Sequence, residues 1–144
     1  MRTAWSALIL IMMATAVFAQ QAGVADDTLH VSGKAVVFFG PSPAEYVSMS
    51  HEEKDAIDHD LYYFYHFRNK VLPFLKLNEI EAISTVRPKI LIQFAGNDSI
   101  TYARSDFDRI VGLIMTDGRH EPRVFPGFAT ESELRSMFEA YFDL

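Results

Sequence analysis

No cysteine occurs anywhere in the 144 residues, and no other compositional fact excludes as much. Disulfides, thiolate zinc sites, iron–sulfur clusters, a catalytic thiol and a lipid-modified cysteine anchor all go with it. Positive charge is also scarce: 13 Lys and Arg stand against 19 Asp and Glu, a net charge of −6. A surface of that sign lacks the basic stripe that nucleic-acid affinity needs, and it repels anionic lipid headgroups. Nucleic acid is therefore not an expected partner. Catalytic signatures are missing too: there is no Gly-x-Ser-x-Gly elbow, no His-Glu-x-x-His and no phosphate-cradling glycine loop. No catalytic residue and no cofactor are expected.

What is present starts at the N-terminus. Met1-Arg2 is a short positive start, Ala7 to Ala14 (ALILIMMA) is an apolar run, and Val17-Phe18-Ala19 precedes polar Gln20-Gln21. The run is too short to span a bilayer comfortably and ends as a signal-peptidase site does. Residues 1–19 are thus expected to be a cleaved signal peptide, 20–28 a flexible segment and 29–144 one α+β domain. Cleavage removes Arg2 and no acid, so the net charge of −6 becomes −7. No stable membrane anchor is expected after it. Secreted eukaryotic domains commonly use disulfides, so a thiol-free exported chain suggests a bacterial periplasmic or secreted protein. Asn97-Asp98-Ser99 matches a glycosylation acceptor, but Gly96-Asn97-Asp98 is equally good turn chemistry and is read as that.

Aromatic residues are plentiful, with 12 Phe and 6 Tyr to furnish a core. Leu29 to Phe39 contains Ala35-Val36-Val37-Phe38-Phe39, an unbroken apolar run that predicts a strand buried on both faces. Gly40-Pro41-Ser42-Pro43 stops it. Two Ser-x-x-Glu capping boxes follow, Ser42/Glu45 and Ser50/Glu53, the second opening a helix predicted over His51 to Leu77. Ile57, Leu61, Phe64, Val71, Leu72 and Leu75 mark its apolar face. Pro73 lies inside it and predicts a kink near Asn69. Strands are expected at Ile80–Val86, then at Lys89–Phe94 and Ser99–Ala103 as a hairpin. A second hairpin joins Arg109–Thr116 to Arg123–Phe125 around Asp117-Gly118. Thr130/Glu133 caps a last helix over Glu131–Phe142.

The order of the last third, strand, Asp117-Gly118 turn, return strand to Pro126-Gly127-Phe128, then a capped helix, resembles the C-terminal half of a thioredoxin fold. The buried strand, the helix carrying Pro73 and the strand after it are similar to the N-terminal half. The resemblance spans roughly residues 35–86 and 109–142. It implies an α+β, α/β-sandwich-like architecture: a thioredoxin-like central sheet with a long kinked helix, an inserted β-hairpin at Lys89–Arg104 and a C-terminal helix. It also implies where redox cysteines would stand. Counting back from Pro73 puts Tyr65-His66-Phe67-Arg68 there, without sulfur and within a helix, so the family's redox chemistry is not expected. The proline usual before the third core strand is likewise replaced by Asp108-Arg109.

Three groups remain as candidate sites. Tyr62-Tyr63-Phe64-Tyr65-His66-Phe67 places six rings in a row, which on a helix spread around the axis. Phe64 and Phe67 suit the core, while Tyr62, Tyr63 and Tyr65 must point partly elsewhere and suit an interface. Either a protein partner or self-association is expected there, unless the inserted hairpin or the Ser42–Met49 segment covers them. Arg68 is a cation amid these rings, able to stack on Tyr65 or hold an anionic partner; a salt bridge with nearby acids is the plainer expectation. His51, Asp55 and His59 fall at i, i+4 and i+8, an alternative divalent-metal face for a carrier or metal-dependent hydrolase, with distant His30 or His120 as further ligands. Three such ligands span about 12 Å, too far for one ion, so only neighbours could share it. The plainer reading is a solvated acidic face with Glu52, Glu53, Asp58 and Asp60. His120, beside Asp117 and Glu121, reads as a turn residue.

Overall fold

The computed structural model describes residues 27–144. The predicted signal peptide and most of the following polar segment lie outside the described residues. Thr28, placed in that segment on sequence grounds, is already in a strand.

The described residues form seven strands and three α-helices, in the order β1 Thr28–Ser32, β2 Ala35–Phe39, α1 Pro43–Ser48, α2 His51–Leu77, β3 Glu81–Thr85, β4 Lys89–Phe94, β5 Asp98–Ala103, β6 Gly112–Thr116, β7 Arg123–Pro126 and α3 Glu131–Phe142. A single 3-10 turn, Arg104–Asp106, follows β5. The expected strand region at Leu29–Phe39 is therefore two strands. Gly33, at φ 85°, breaks it, a backbone conformation that costs glycine little. The two strands enter different sheets.

The larger sheet has the order β3-β2-β6-β7. β2 and β3 are parallel, in register from Ala35↔Glu81 to Phe39↔Thr85, with α2 as the crossover between them. β6 runs antiparallel to both β2 and β7. The smaller sheet has the order β1-β4-β5, β1 parallel and β5 antiparallel to β4. The predicted hairpin at Lys89–Arg104 is thus real. It does not extend the central sheet, however, but builds a second one with β1.

Alternation along β2 explains the layering. Val36 and Phe38 point into a cluster with Phe64, Val71 and Leu75 of α2 and Leu134, Phe138 and Phe142 of α3. Ala35, Val37 and Phe39 point the other way, into a cluster with Val31, Ile90 and Ile92 of the small sheet and Ile114 of β6. All five residues of β2 are at most 2% exposed, as its unbroken apolar run requires. The molecule is a helix layer, a central sheet and a second sheet.

Two of the three predicted capping boxes form in full, and the first forms only its Ser42 half. Ser50 and Glu53 form a reciprocal capping box at α2, and Thr130 and Glu133 do the same at α3. At α1, Ser42 accepts the N–H of Glu45, whose carboxylate pairs with Arg104. α2 continues through Pro73 as one element and stops at Asn78, whose Nδ2 donates to the Phe74 carbonyl at 2.8 Å.

Candidate binding surface

α2 lies across one face of the central sheet and so divides its aromatic run by direction. Phe64 turns inward and meets Phe38 edge to face, centroids 6.1 Å apart. Phe67 is half-buried at the margin of the same cluster. On one flank His59, Tyr63 and Phe67, four residues apart, form a ladder with centroids 4.6 and 6.0 Å apart. Phe128, from the loop between β7 and α3, stacks on Tyr63 at 5.7 Å. Neither the inserted hairpin nor α1 covers Tyr63; the cover is Phe128. On the outer face Tyr62 is 65% exposed and stacks on His66, centroids 6.0 Å apart and planes only 8° apart. The two columns touch where Tyr62 meets Tyr63 edge to face at 5.2 Å.

Tyr65 and Arg68 form a separate pair, in contact with each other and outside that ladder. The structure thereby separates the four binding candidates into two pairs. Tyr65 is half-buried beside Gly40, where an added Cβ would come within 3.1 Å of its hydroxyl oxygen. Burial raises its phenol above the ordinary range, with the nearby charges of Arg68 and Arg104 acting in the opposite direction. The Arg68 guanidinium lies over the Tyr65 ring, 4.8 Å from its centroid. Its Nε and Nη2 donate to Asn69 Oδ1 at 3.3 and 3.0 Å, and Nη1 donates to Ser84 Oγ at 3.2 Å. The salt bridge expected for Arg68 is not formed with any described acid. The acids closest in sequence on α2, Asp58 and Asp60, are drawn elsewhere: Asp58 accepts the Tyr46 hydroxyl at 2.6 Å, and Asp60 pairs with Arg109 at 2.7 Å. Burial holds the Arg68 guanidinium below its usual range. Beneath it is a void of about 10 Å³ between Phe38, Phe64, Leu113, Phe128 and Leu134.

His51 Nε2 comes within 3.6 Å of Asp55 Oδ2, both side chains largely in solvent. His59 instead approaches Asp60 and the rings of Tyr63 and Phe128. His30 is on β1, in the far sheet. Among the described residues no three His, Asp or Glu side chains gather as a metal site would require. His120 bonds to Asp117 through Nδ1 and Oδ2 at 2.7 Å at the tip of the β6–β7 hairpin, and Asp117 Oδ1 also accepts the N–H of Arg119 and of His120. Only neighbours in sequence take part, as in a turn.

One cleft escaped sequence reasoning. It measures about 460 Å³ and is lined by Glu45, Pro88, Arg104, Ser105, Phe107, Arg109 and Ile110. It opens beyond the carboxyl ends of β2 and β3, where ligands of open α/β sheets collect. Its two guanidinium groups are already answered by Glu45 and Asp60, so it presents little net charge. No sequence signal marked it, because its walls come from segments far apart in the chain.

Compared with known proteins, the chain matches no family model, no curated protein and no solved structure.

Proposed function

We propose that this chain is an exported, non-catalytic binding module on a thioredoxin-like sheet, and that it contacts a protein partner or a second copy of itself through the ring ridge on α2. The export reading is supported by the charged start, apolar run and Val17-Phe18-Ala19 ending of the sequence. The thioredoxin-like reading is supported by the parallel β2–α2–β3 crossover sharing one sheet with the antiparallel β6–β7–α3 unit. Tyr65 to Arg68, the counterpart of the redox segment, are in mid-helix and hold no sulfur.

The observation that carries the binding reading is Tyr62. It is a large ring left 65% in water, supported edge-on by Tyr63 and face-on by His66. A rigid ring with a hydroxyl at its edge gives large contact area for little lost side-chain freedom. Replacing Tyr62 by a photo-crosslinking phenylalanine analogue tests this in the exporting host. A discrete adduct, absent when the same group replaces exposed Val47 on α1, is the expected result. Adducts at Val47 alone, together with a monomer by sedimentation, would refute the ridge.

A further inference from the structure

We infer that Arg68 and Tyr65 form a receptor for a carboxylate of a bound polypeptide. The source of that carboxylate rests on the binding-module reading above; the site itself does not. Arg68 is half-buried, and its described partners are an aromatic ring, an amide oxygen and a hydroxyl, all neutral. Other arginines of the molecule are treated differently. Arg104, Arg109 and Arg135 each have a carboxylate within 4.0 Å. A charge taken partly out of water is ordinarily paired, because desolvation without an opposite charge is costly. A guanidinium carries five N–H donors, and three here reach two acceptors, which leaves two for a ligand.

The second element is the Tyr65 hydroxyl. Among the described residues none hydrogen-bonds to it; it lies against Gly40, and Arg68 covers the same ring. A donor O–H and a planar N–H fork on two side chains already in contact match the two oxygens of a carboxylate. The position agrees as well. Ser84, which orients the guanidinium, is exposed on β3, the outermost strand of the central sheet, so an extended chain can approach from that side.

The test is an NMR titration of the folded protein, following the Arg68 Nε–Hε signal and the backbone amides of Gly40, Asn69 and Ser84. Three probes are added separately: acetyl-glycine, which offers a terminal carboxylate; acetyl-aspartate α-amide, which offers a side-chain carboxylate; and inorganic phosphate. Saturable shifts at millimolar acetyl-glycine or acetyl-aspartate α-amide are expected, and the tighter of the two names the source as chain terminus or acidic side chain. Tyr65→Phe should weaken binding about ten-fold, the loss of one hydrogen bond to a charged group. Arg68→Gln should abolish the amide response, and Arg68→Lys, which keeps the charge without the fork, should weaken it. Absence of any saturable shift, an undiminished response in folded Arg68→Gln, or tighter binding of phosphate than of either carboxylate would overturn the assignment. Tyr62→Ala should leave the titration unchanged, so failure of the ridge and failure of this site are read separately.

Discussion

The ring of Tyr63 lies over that of Phe128, centroids 5.7 Å apart and planes 20° from parallel. With the neighbouring His59–Phe128 contact, this pair fastens the loop between β7 and α3 to α2, and it shapes the ridge beside which Tyr62 stands. Phe128→Ala should therefore loosen the loop and uncover Tyr63. A stacked, half-buried pair of this kind contributes about 1–2 kcal/mol, counting both contact and area. Urea denaturation measures the loss. The only Trp of the chain is in the N-terminal apolar region, so tyrosine emission of the 20–144 protein, quenched with acrylamide, reports the uncovering directly.

Gly112 opens β6 with no room for a side chain. A Cβ there would meet the Phe39 ring at 2.5 Å and the Phe125 carbonyl oxygen at 2.7 Å. Phe39 is itself packed between the sheets and stacked on Phe107 at 4.9 Å, so it has little freedom to retreat. Gly112→Ala should destabilise by about 1–3 kcal/mol, the usual range for overpacking. Thermal unfolding of the variant beside the parent protein checks it, and the binding-site titration should be unaffected once the variant is folded.

Neither contact was legible in the chain, although the elements that make them were. Capping boxes at Ser50 and Thr130 and the period of apolar residues set α2 and α3 at their observed limits, because those signals are local. Ser32-Gly33-Lys34 marks a break between β1 and β2, but only long-range pairing decides that β1 joins β4 while β2 joins β3 and β6. The site follows the same rule. Helical geometry alone says that Tyr62 and Phe64 face differently. That Arg68 finds Ser84 and no acid depends on strand β3 arriving beside it, 16 residues further on.

Arg104 joins three parts of the fold through its side chain alone. Its Nε donates to the Arg87 carbonyl at 2.6 Å, its Nη2 donates to the Val86 carbonyl at 2.8 Å, and its outer edge pairs with Glu45 of α1. The side chain is only 11% exposed, so these bonds face little competition from water. Arg104→Ala leaves two carbonyls without their donor and should cost about 2–4 kcal/mol. Chemical denaturation gives the value. Amide exchange should show the loss first at Pro43–Ser48, the helix that Glu45 holds in place.

Asp117 makes stability depend on acid. Burial pushes its carboxyl upward, but the hydrogen bonds from His120 and from the backbone N–H groups of His120 and Arg119 outweigh this and leave it below its ordinary 3.8. The folded state therefore favours the carboxylate. The stabilisation is complete above the unfolded value near 3.8 and is lost as pH falls through the lower folded value. Asp117→Asn should flatten this part of the acid limb in pH-dependent unfolding. Carbon-detected NMR of the parent protein should place the Asp117 midpoint below that of a free aspartate.

Tyr141 acts at the other end of the pH scale. Its hydroxyl donates to the Glu121 carbonyl at 3.3 Å, tying α3 to the β6–β7 hairpin. Burial, reinforced by the negative charge of Asp117, pushes its phenol up to about 12 from an ordinary 10.0. Here the fold favours the neutral form. The contribution is complete below pH 10 and is lost as pH rises through about 12, the reverse of Asp117. Tyr141→Phe should remove the steepest part of that alkaline loss. Tyrosinate absorbance near ~295 nm should show the parent protein's last phenol ionising late, and Tyr141→Phe should lack that final step; an unchanged titration would mean that the hairpin leaves this hydroxyl in water.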